Sequence, residues 1–309
     1  MKLISFVVPV FYEEDCIDQF IKEVDYEISN LPQYSFEYVF IDDGSQDKTV
    51  EIIKEYCEKR PEVKLVELSY NHGKEAAVTA GIENANGDFV IYMDPDLQDP
   101  PVEIPRLIEE IEKGFDIVYG VRKEKKDSFI NKIYSKIFWT SLNYLTGLDI
   151  PKNLAVYRVF NKKFAYEFLK YRERNRFIEG IFLTVGLKSA TLPVSQRVRF
   201  AGKSKFNFKK KMNLALTAMI DFSDKPLKIC VKIGFLVSVI GFFILLSIIC
   251  LIAFGMEFQA GWPSLAGLII LGLGINLTFL GVIGKYVGKV YSETKQRPLF
   301  SIKEKHNLK

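Results

Sequence analysis

The chain has 309 residues, 26% of them charged, and its formal net charge is +4. That length suits one sizeable domain with an appendage, and so small a charge gives no case for nucleic acid as a partner. The four cysteines form no C-x-x-C pair and no zinc-ligand spacing, so we expect reduced thiols rather than disulfides or a zinc site. No signal peptide is expected, because the first apolar run, Leu3–Val10, is short and leads into Glu13 and Glu14.

Short apolar runs alternate with helical periodicity in the N-terminal part of the chain. The runs predicted to be strands are Leu3–Phe11, Phe36–Ile41, Val63–Leu68, Asp88–Met93 and Asp116–Gly120. Helices are predicted between them, around residues 17–24 and over Val50–Tyr56, Gly73–Asn84 and Pro101–Lys113. Strands that are almost wholly apolar are typical of parallel sheets covered on both faces. The alternation therefore predicts a doubly wound, mostly parallel α/β sheet.

Two acidic clusters follow predicted strands. Asp42 and Asp43 follow the second strand, and Asp94, Asp96 and Gln98 follow the fourth. Carboxylate and amide oxygens suit a hard cation such as Mg²⁺ or Mn²⁺, although a solvated turn rich in Asp and Pro would have a similar sequence. Because ligands bind beyond the carboxyl ends of the strands in such sheets, both clusters are predicted to line one crevice, which favours the metal site.

Common nucleotide-binding fingerprints are absent from the sequence. No G-x-G-x-x-G follows a predicted strand, which argues against a dinucleotide-dependent oxidoreductase. The segment Gly202-Lys203-Ser204 looks like the end of a P-loop, but Arg197 stands where the first glycine is required. The segment is instead a basic loop that can hold a phosphate through Lys203, Lys205 and backbone N–H groups.

Two uncharged apolar runs near the C-terminus, 233–254 and 264–284, are each long enough to cross a hydrocarbon core of about 30 Å. Basic residues flank the pair on its outer ends, and the connecting loop carries Glu257 but no Lys or Arg. The positive-inside rule therefore predicts a hairpin in the cell membrane with both termini in the cytoplasm. The predicted organisation is a catalytic domain over 1–205, an interfacial region over 206–228, two transmembrane helices within 229–289 and a cytoplasmic tail over 290–309.

Two further segments combine apolar and basic residues at helical spacing, Ser128–Thr146 and Phe206–Phe222. The first is equally compatible with an ordinary core helix and with a helix at the membrane interface. For the second we favour the interface, because Lys209, Lys210 and Lys211 precede a transmembrane run directly.

Five segments resemble, in order, motifs of the family 2 glycosyltransferases with a GT-A fold, and within them the polyprenyl-phosphate glycosyltransferases. The first, Val8–Glu14, looks like V-P-x-Y-N-E-E but has Tyr12 where Asn is usual. The other four match D-D-G-S-x-D-x-T, N-x-G-K-x-x-A, D-x-D-L-Q-D-P-P and G-x-S-K, and they are Asp42–Thr49, Asn71–Ala77, Asp94–Pro101 and Gly202–Lys205. The resemblance covers essentially the whole chain, and the two apolar runs are similar to those of bactoprenol glucosyltransferases. It implies transfer of a sugar from a UDP-sugar to polyprenyl phosphate with inversion at the anomeric carbon.

The same resemblance implies roles for individual residues. The nucleotide-binding residues implied are Pro9, Phe11, Glu13, Asp42, Asp43, Lys74 and Asp94. The implied ligands of Mg²⁺ or Mn²⁺ are Asp94, Asp96 and Gln98, and the implied catalytic residues are Asp94, Asp96, Arg122 and Arg158. The acceptor phosphate is expected to meet Arg122, Ser204 and Lys205. Related enzymes with two spans can form tetramers, so a homo-oligomer is a further expectation.

The sequence departs from the family pattern mainly at one segment. Residues 153–159 align with D-x-G-D-F-R-L, but Asn153 and Val156 replace the two acidic residues, while Arg158 is kept. Glucose is the sugar expected, with N-acetylglucosamine or galactose as alternatives. A catalytically inactive membrane scaffold is the alternative that the two replacements support. A processive polysaccharide synthase is disfavoured, because the Q-x-x-R-W motif of those enzymes is missing.

Overall fold

The computed structural model describes residues 1–122, 140, 143–144, 147, 151, 153–174, 177–198, 200, 223–254 and 261–308. The amphipathic segment Phe206–Phe222 lies outside the described residues, and so does Ser128–Thr146 except for residues 140, 143 and 144. Ser204 and Lys205, the residues expected at the acceptor phosphate, also lie outside them.

Eight strands among the described residues form a single sheet in the order β7-β5-β6-β4-β1-β2-β3-β8. Their bounds are β1 Lys2–Val10, β2 Tyr34–Asp42, β3 Val63–Leu68, β4 Phe89–Tyr92, β5 Ile117–Arg122, β6 Leu154–Asn161, β7 Ser189–Val194 and β8 Ile302–His306. Strands β4, β1, β2 and β3 are parallel neighbours, and β5 runs parallel to β7. Strand β6 is antiparallel to both β4 and β5, and β8 is antiparallel to β3. The predicted fold class, a mostly parallel α/β sheet, is confirmed.

Helices connect most of the strands. Their bounds are α1 Ile17–Ile28, α2 Thr49–Lys59, α3 Lys74–Asn84, α4 Ile104–Glu112, α5 Lys162–Leu169, α6 Ile178–Thr184, α7 Lys225–Ala253 and α8 Trp262–Thr294. The helix predicted over Pro101–Lys113 begins as a 3-10 turn, Pro101–Glu103, before α4 starts. A second proline at position 105, in the first turn of α4, has no N–H to donate and is tolerated there.

Side chains of the central strands alternate between two apolar layers. On β1, Phe6 and Val8 belong to one buried cluster, whereas Val7 between them belongs to the other. The first cluster includes residues of α1 and α4, and the second includes residues of α3, α5 and α6. Because strand side chains alternate with a period of two, a strand that is apolar throughout must be covered on both faces.

Helix α3 packs unusually close to the sheet at Gly81. A Cβ atom there would lie 2.4 Å from Val7 Cγ1 and 2.5 Å from Ile41 Cδ1. Only a glycine permits this approach, and it fixes the start of α3, with Lys74, at the carboxyl edge of β1 and β2.

The C-terminal tail supplies β8, the edge strand beside β3, which sequence patterns did not reveal. Its register pairs Leu65 with His306 and Glu67 with Glu304. The buried carboxylate of Glu67 lies 3.0 Å from His306 Nε2, 3.2 Å from Lys303 Nζ and 2.6 Å from Lys54 Nζ. Two lysine ammonium groups already neutralise this carboxylate, so the cluster is an ion-pair network rather than a metal site.

Two helices are long and apolar enough to cross a membrane. The apolar stretches are Lys225–Ile244 in α7 and Leu268–Thr294 in α8, with mean hydropathies of 2.2 and 1.9, and neither is buried against the rest of the chain. Exposed Leu, Ile and Phe side chains along both helices need an apolar surrounding that water does not provide. The last turn of α8 also touches the sheet domain, because Arg174 N donates to Glu293 Oε1 at 2.9 Å.

Candidate active site

The carboxyl ends of three neighbouring strands bring the predicted site residues to one edge of the sheet. Strand β1 ends at Val10, which pairs with Asp42, and Val7 of the same strand pairs with Tyr92 near the end of β4. Since these strands are parallel, the loop after β1, the Asp42 cluster and the Asp94 cluster leave the sheet side by side.

The turn after β2 holds its two aspartates in different ways. The Asp42 carboxylate accepts hydrogen bonds from Gly44 N and Ser45 N, each at 3.0 Å, within its own turn. The Asp43 carboxylate reaches across to accept from His72 N at 2.7 Å and Gly73 N at 3.0 Å. Burial raises the pKa of both carboxyl groups, that of Asp43 to about 6. Asp43 therefore ties the β2 turn to the start of α3.

Gly44 makes that turn possible. Its φ is +83°, in the left-handed region, and a Cβ atom there would lie 2.9 Å from the backbone of Tyr70 and of Asn71. A side chain would push apart the loops after β2 and β3, so the glycine of the D-D-G-S segment is required by close backbone approach.

The loop after β1 is fixed against the same turn. Tyr12 N donates to Ser45 Oγ at 3.0 Å, and Glu13 N donates to Thr49 Oγ1 at 2.9 Å. The rings of Phe11 and Tyr12 contact each other edge-on with centroids 4.4 Å apart. Pro9, by contrast, is buried within β1. Phe11 and Tyr12 thus stand at the rim of the crevice whose floor carries Asp42.

The loop after β4 turns sharply at Leu97. Its φ is +58°, a left-handed conformation, and its side chain is buried in the core, which anchors the loop from below. The carboxylate of Asp96 accepts from Gln98 N at 3.1 Å and from Gln98 Nε2 at 3.0 Å. Leu97 thus anchors the segment that carries Asp94, Asp96 and Gln98 at the carboxyl end of β4.

Lys74 compensates the charge of this loop. Its Nζ lies 2.6 Å from Asp94 Oδ2, and it lies 5.7 Å from the centre of the Tyr92 ring. Desolvation opposes the charge of Lys74, but the Asp94 carboxylate outweighs it and raises the pKa of the ammonium group. Lys74, which the family resemblance implies at the nucleotide, thus forms an ion pair with Asp94 of the acidic loop, a second residue implied there.

Arg122, the last residue of β5, approaches the site from the other side. Its Nη2 lies 3.1 Å from Asp99 Oδ1, and its backbone N donates to Asn153 O at 2.9 Å. Burial raises the pKa of Asp99, and the Arg122 guanidinium opposes that rise. Both Nε and Nη2 of Arg122 donate to the Asp99 carboxylate, which fixes the plane of the guanidinium at the end of β5.

Arg158 lies on β6 opposite Tyr92 and is fully buried. Its Nε donates to Val156 O at 2.9 Å, and its guanidinium carbon is 4.5 Å from the Phe182 ring centre and 5.3 Å from that of Tyr92. Its Nη1 has no hydrogen-bond partner among the described residues. Arg158 is therefore buried beside Tyr92 of β4, and it does not line the crevice.

The chain that leads to Gly202 is held against the acidic loop. Arg197 N donates to Gln98 O at 2.9 Å, and Phe200 N donates to Asp96 O at 3.2 Å. Just before these contacts, Ser195 donates to the buried Glu103 carboxylate from both N and Oγ. Phe200 is therefore fixed beside the acidic loop two residues before the basic segment begins.

Two residues at this edge were missed by the sequence analysis. Asp99 orients Arg122, and its place inside the D-L-Q-D-P-P segment was the available signal. His72 joins the Asp43 turn to the C-terminal tail, and no sequence pattern indicates such a contact.

A twisted, mostly parallel sheet with an acidic loop after β4 and a second acidic turn after β2 defines a GT-A-type glycosyltransferase fold. The family profile described as "Glycosyl transferase family 2" matches residues 5–171. The chain belongs to this family, and it is a glycosyltransferase.

Similar proteins extend beyond this domain to the two apolar helices. An "Uncharacterized glycosyltransferase YkcC" of Bacillus subtilis is 35% identical over 305 residues, which cover 98% of this chain and 94% of the relative. An "SfII prophage-derived bactoprenol glucosyl transferase" of Shigella flexneri is 38% identical over 305 residues and 98% of each chain. Among solved structures, glucosyl-3-phosphoglycerate synthase of Mycobacterium tuberculosis matches 71% of this chain and 78% of its own, with 17% identity and a TM-score of 0.49.

Proposed function

We propose that the chain transfers a sugar, glucose in the first instance, from a UDP-sugar to a polyprenyl phosphate at the cytoplasmic face of the membrane. The observation that carries this proposal is the convergence of Asp42, Asp94, Asp96, Lys74 and Arg122 at one edge of the sheet. Relatives named bactoprenol glucosyl transferase, similar to this chain over 98% of its length, support the acceptor class. N-acetylglucosamine and galactose remain alternative sugars.

The nucleotide half of the site can accommodate a uridine diphosphate. Phe11 offers an aromatic face at the rim, and Asp42 offers a buried carboxylate to N–H or hydroxyl groups of the nucleoside. Glu13 and Asp43 complete the turn that shapes this part of the crevice. Pro9 acts from within β1 by setting where the chain leaves the sheet.

The donor set of the acidic loop fits a hard divalent cation. Asp94 and Asp96 supply carboxylate oxygens, and Gln98 presents Oε1 as the atom of its amide that can bind a metal, because Nε2 faces Asp96. Mg²⁺ or Mn²⁺ held there would neutralise charge on the departing diphosphate. Lys74 pairs with Asp94, which limits the repulsion between the carboxylates when no cation is bound.

The acceptor half of the site is cationic. Arg122 lies at the carboxyl end of β5 against Asp99, and Ser204 and Lys205 are assigned to the acceptor phosphate on their sequence motif alone. A phosphate monoester has a second pKa of about 6, so near neutral pH it is largely a dianion and needs no strong base for activation. Arg122 and Lys205 would orient its oxygen for attack on the anomeric carbon from the face opposite the diphosphate.

The proposed topology places both termini in the cytoplasm. The pairing of β8 with β3 supports this, because chain segments that precede α7 and follow α8 meet in one sheet. The lysines at the outer ends of the two helices support the cytoplasmic side for that sheet. A homo-oligomer, such as a tetramer, belongs to the same proposal.

The test uses the full chain purified in detergent with undecaprenyl phosphate, Mg²⁺ or Mn²⁺, and a panel of radiolabelled UDP-sugars. Transfer of label into the organic phase is expected, and the sugar that supports it identifies the donor. Asp96→Asn should abolish transfer, whereas Glu109→Gln, the same change on the exposed face of α4, should leave it unchanged.

A specific failure would overturn the proposal. If UDP binds in a metal-dependent way but no sugar is transferred, the chain is an inactive scaffold. Asn153 and Val156, which replace the acidic residues of the family pattern, would then mark the loss of catalysis.

A further inference from the structure

The C-terminal tail contacts the nucleotide side of the crevice directly. Ser301, just before β8, uses both backbone groups: Ser301 O accepts from Ser69 N at 2.9 Å, and Ser301 N donates to His72 Nε2 at 3.3 Å. These two contacts hold the loop between β3 and α3 from its outer side.

The tail is itself firmly attached to the sheet domain. Asn307 Nδ2 donates to Cys57 O at 2.7 Å and to Val63 O at 2.9 Å, and β8 pairs with β3 along its length. Phe300 and Leu308 add apolar contacts to the cluster that includes α3. An edge strand with side-chain anchors at both ends can transmit a positional constraint to the loop it contacts.

His72 connects the tail to Asp43 and to the start of α3. Its backbone N donates to Asp43, and the next residue, Gly73, donates to the same carboxylate before α3 begins with Lys74. The imidazole also contacts the Tyr70 ring, with centroids 3.9 Å apart and the two planes tilted by 31°. One short loop thus fixes both Asp43 and Lys74.

We propose that His72 is a positioning residue. Through its hydrogen bond with the C-terminal tail, it holds the loop between β3 and α3 in the conformation that binds the nucleotide. The tail begins where α8 ends, with only residues 295–301 between Thr294 and β8. The membrane hairpin and the nucleoside diphosphate site are therefore linked through Ser301 and His72. This inference rests on the proposed function, because it concerns binding of the same donor.

Loss of the hydrogen bond between Ser301 and His72 should weaken donor binding and leave the chemical step unchanged. His72→Ala removes the acceptor for Ser301 N, and the loss of one hydrogen bond should weaken UDP binding and raise KM for the donor about three- to tenfold. The value of kcat should stay within about twofold. His72→Gln provides an amide oxygen near the position of Nε2 and should restore most of the affinity.

A second variant removes the same hydrogen bond by a change in the tail. Ser301→Pro removes the N–H that His72 accepts and keeps the carbonyl that Ser69 contacts, so it should reproduce the effect of His72→Ala. Lys305→Ala, an exposed position on the same strand, is the matched control and should behave as wild type. Calorimetry with UDP and Mn²⁺ on the full chain in detergent measures affinity, and label transfer measures KM and kcat.

The outcomes separate the two proposals. If the wild-type chain binds no UDP, the proposed function fails. If wild type binds UDP and His72→Ala binds it equally well, only the inference on the tail fails. It also fails if His72→Ala and Ser301→Pro both lose the folded protein while Lys305→Ala keeps it, because the contact would then serve the fold alone.

Discussion

The ion pair between Asp99 and Arg122 offers the sharpest test of the acceptor side of the site. Asp99→Asn keeps the shape of the side chain and removes the charge that orients the guanidinium. The side chain of Asp99 is 3% exposed and that of Arg122 is 27% exposed, so solvent screens the pair only in part. We expect kcat/KM to fall because Arg122 would lose the orientation in which it is proposed to meet the acceptor phosphate.

The size of the effect follows from the geometry. Asp99 accepts three hydrogen bonds from Arg122, from Nη2 at 3.1 and 3.3 Å and from Nε at 3.3 Å. A hydrogen bond to a charged group contributes about 1.5–3 kcal/mol, and exposure of Arg122 favours the lower half of that range. The expected loss in kcat/KM is therefore roughly tenfold to fiftyfold.

A double-mutant cycle with Arg122→Met tests whether Asp99 affects kcat/KM by orienting Arg122 or by stabilising the fold. If Asp99 acts only through Arg122, the double variant should transfer sugar no more slowly than Arg122→Met, with a coupling equal to the whole effect of Asp99→Asn, about 1.4–2.3 kcal/mol. Asp116→Asn is the matched control, because this carboxylate supports the other end of β5 through Asn161 Nδ2 at 2.9 Å. Strictly additive effects of Asp99→Asn and Arg122→Met on kcat/KM would refute the reasoning.

Three further predictions concern stability, measured by thermal unfolding of the full chain in detergent. Burial raises the pKa of Asp43 to about 6, above its unfolded value near 4, so the free energy of unfolding should fall as pH rises through that window. Asp43→Asn should make this fall shallower without removing it, because burial also raises the pKa of Asp42 and Asp99. Gly81→Ala should destabilise by about 1–3 kcal/mol, because its Cβ would lie 2.4 Å from a β1 side chain; an unchanged melting temperature would contradict this. Asn307→Ala should cost about 1–2 kcal/mol through lost hydrogen bonds to Cys57 O and Val63 O, and full stability would show that the tail is not anchored there.

The central part of the fold could be predicted from the sequence because its signals are local. The strand predicted over Val63–Leu68 has those bounds in the structure, and the other predicted strands differ from the observed ones by one or two residues at their ends. Short apolar runs can be assigned to buried strands without ambiguity when segments with helical periodicity separate them. Because ligands bind beyond the carboxyl ends of the strands in such sheets, the sequence alone also predicted that Asp42 and Asp94 lie at the same edge.

The eighth strand could not be predicted in this way. Its sequence from Ile302 to His306 carries a charged or titratable side chain at every position after the first, so it shows neither apolar alternation nor a buried run. It forms because the edge of β3 offers unpaired backbone groups and because Glu67 attracts Lys303 and His306. Both causes lie more than two hundred residues away along the chain.

The residues that replace the family's acidic pair fit their places in the structure. Asn153 has a φ of +60°, and asparagine is among the few residues that tolerate this left-handed conformation at low cost. Its backbone carbonyl, which any residue at this position would supply, accepts from Arg122 N at 2.9 Å. Val156 packs against the apolar cluster beneath the sheet edge.

Arg158 explains how the fold tolerates the loss of a carboxylate at position 156. Its guanidinium is satisfied in part by the carbonyl oxygens of Val156 and Ala155, and the faces of Phe182 and Tyr92 stabilise its charge. The charge of Arg158 is therefore stabilised without an acidic partner at position 156.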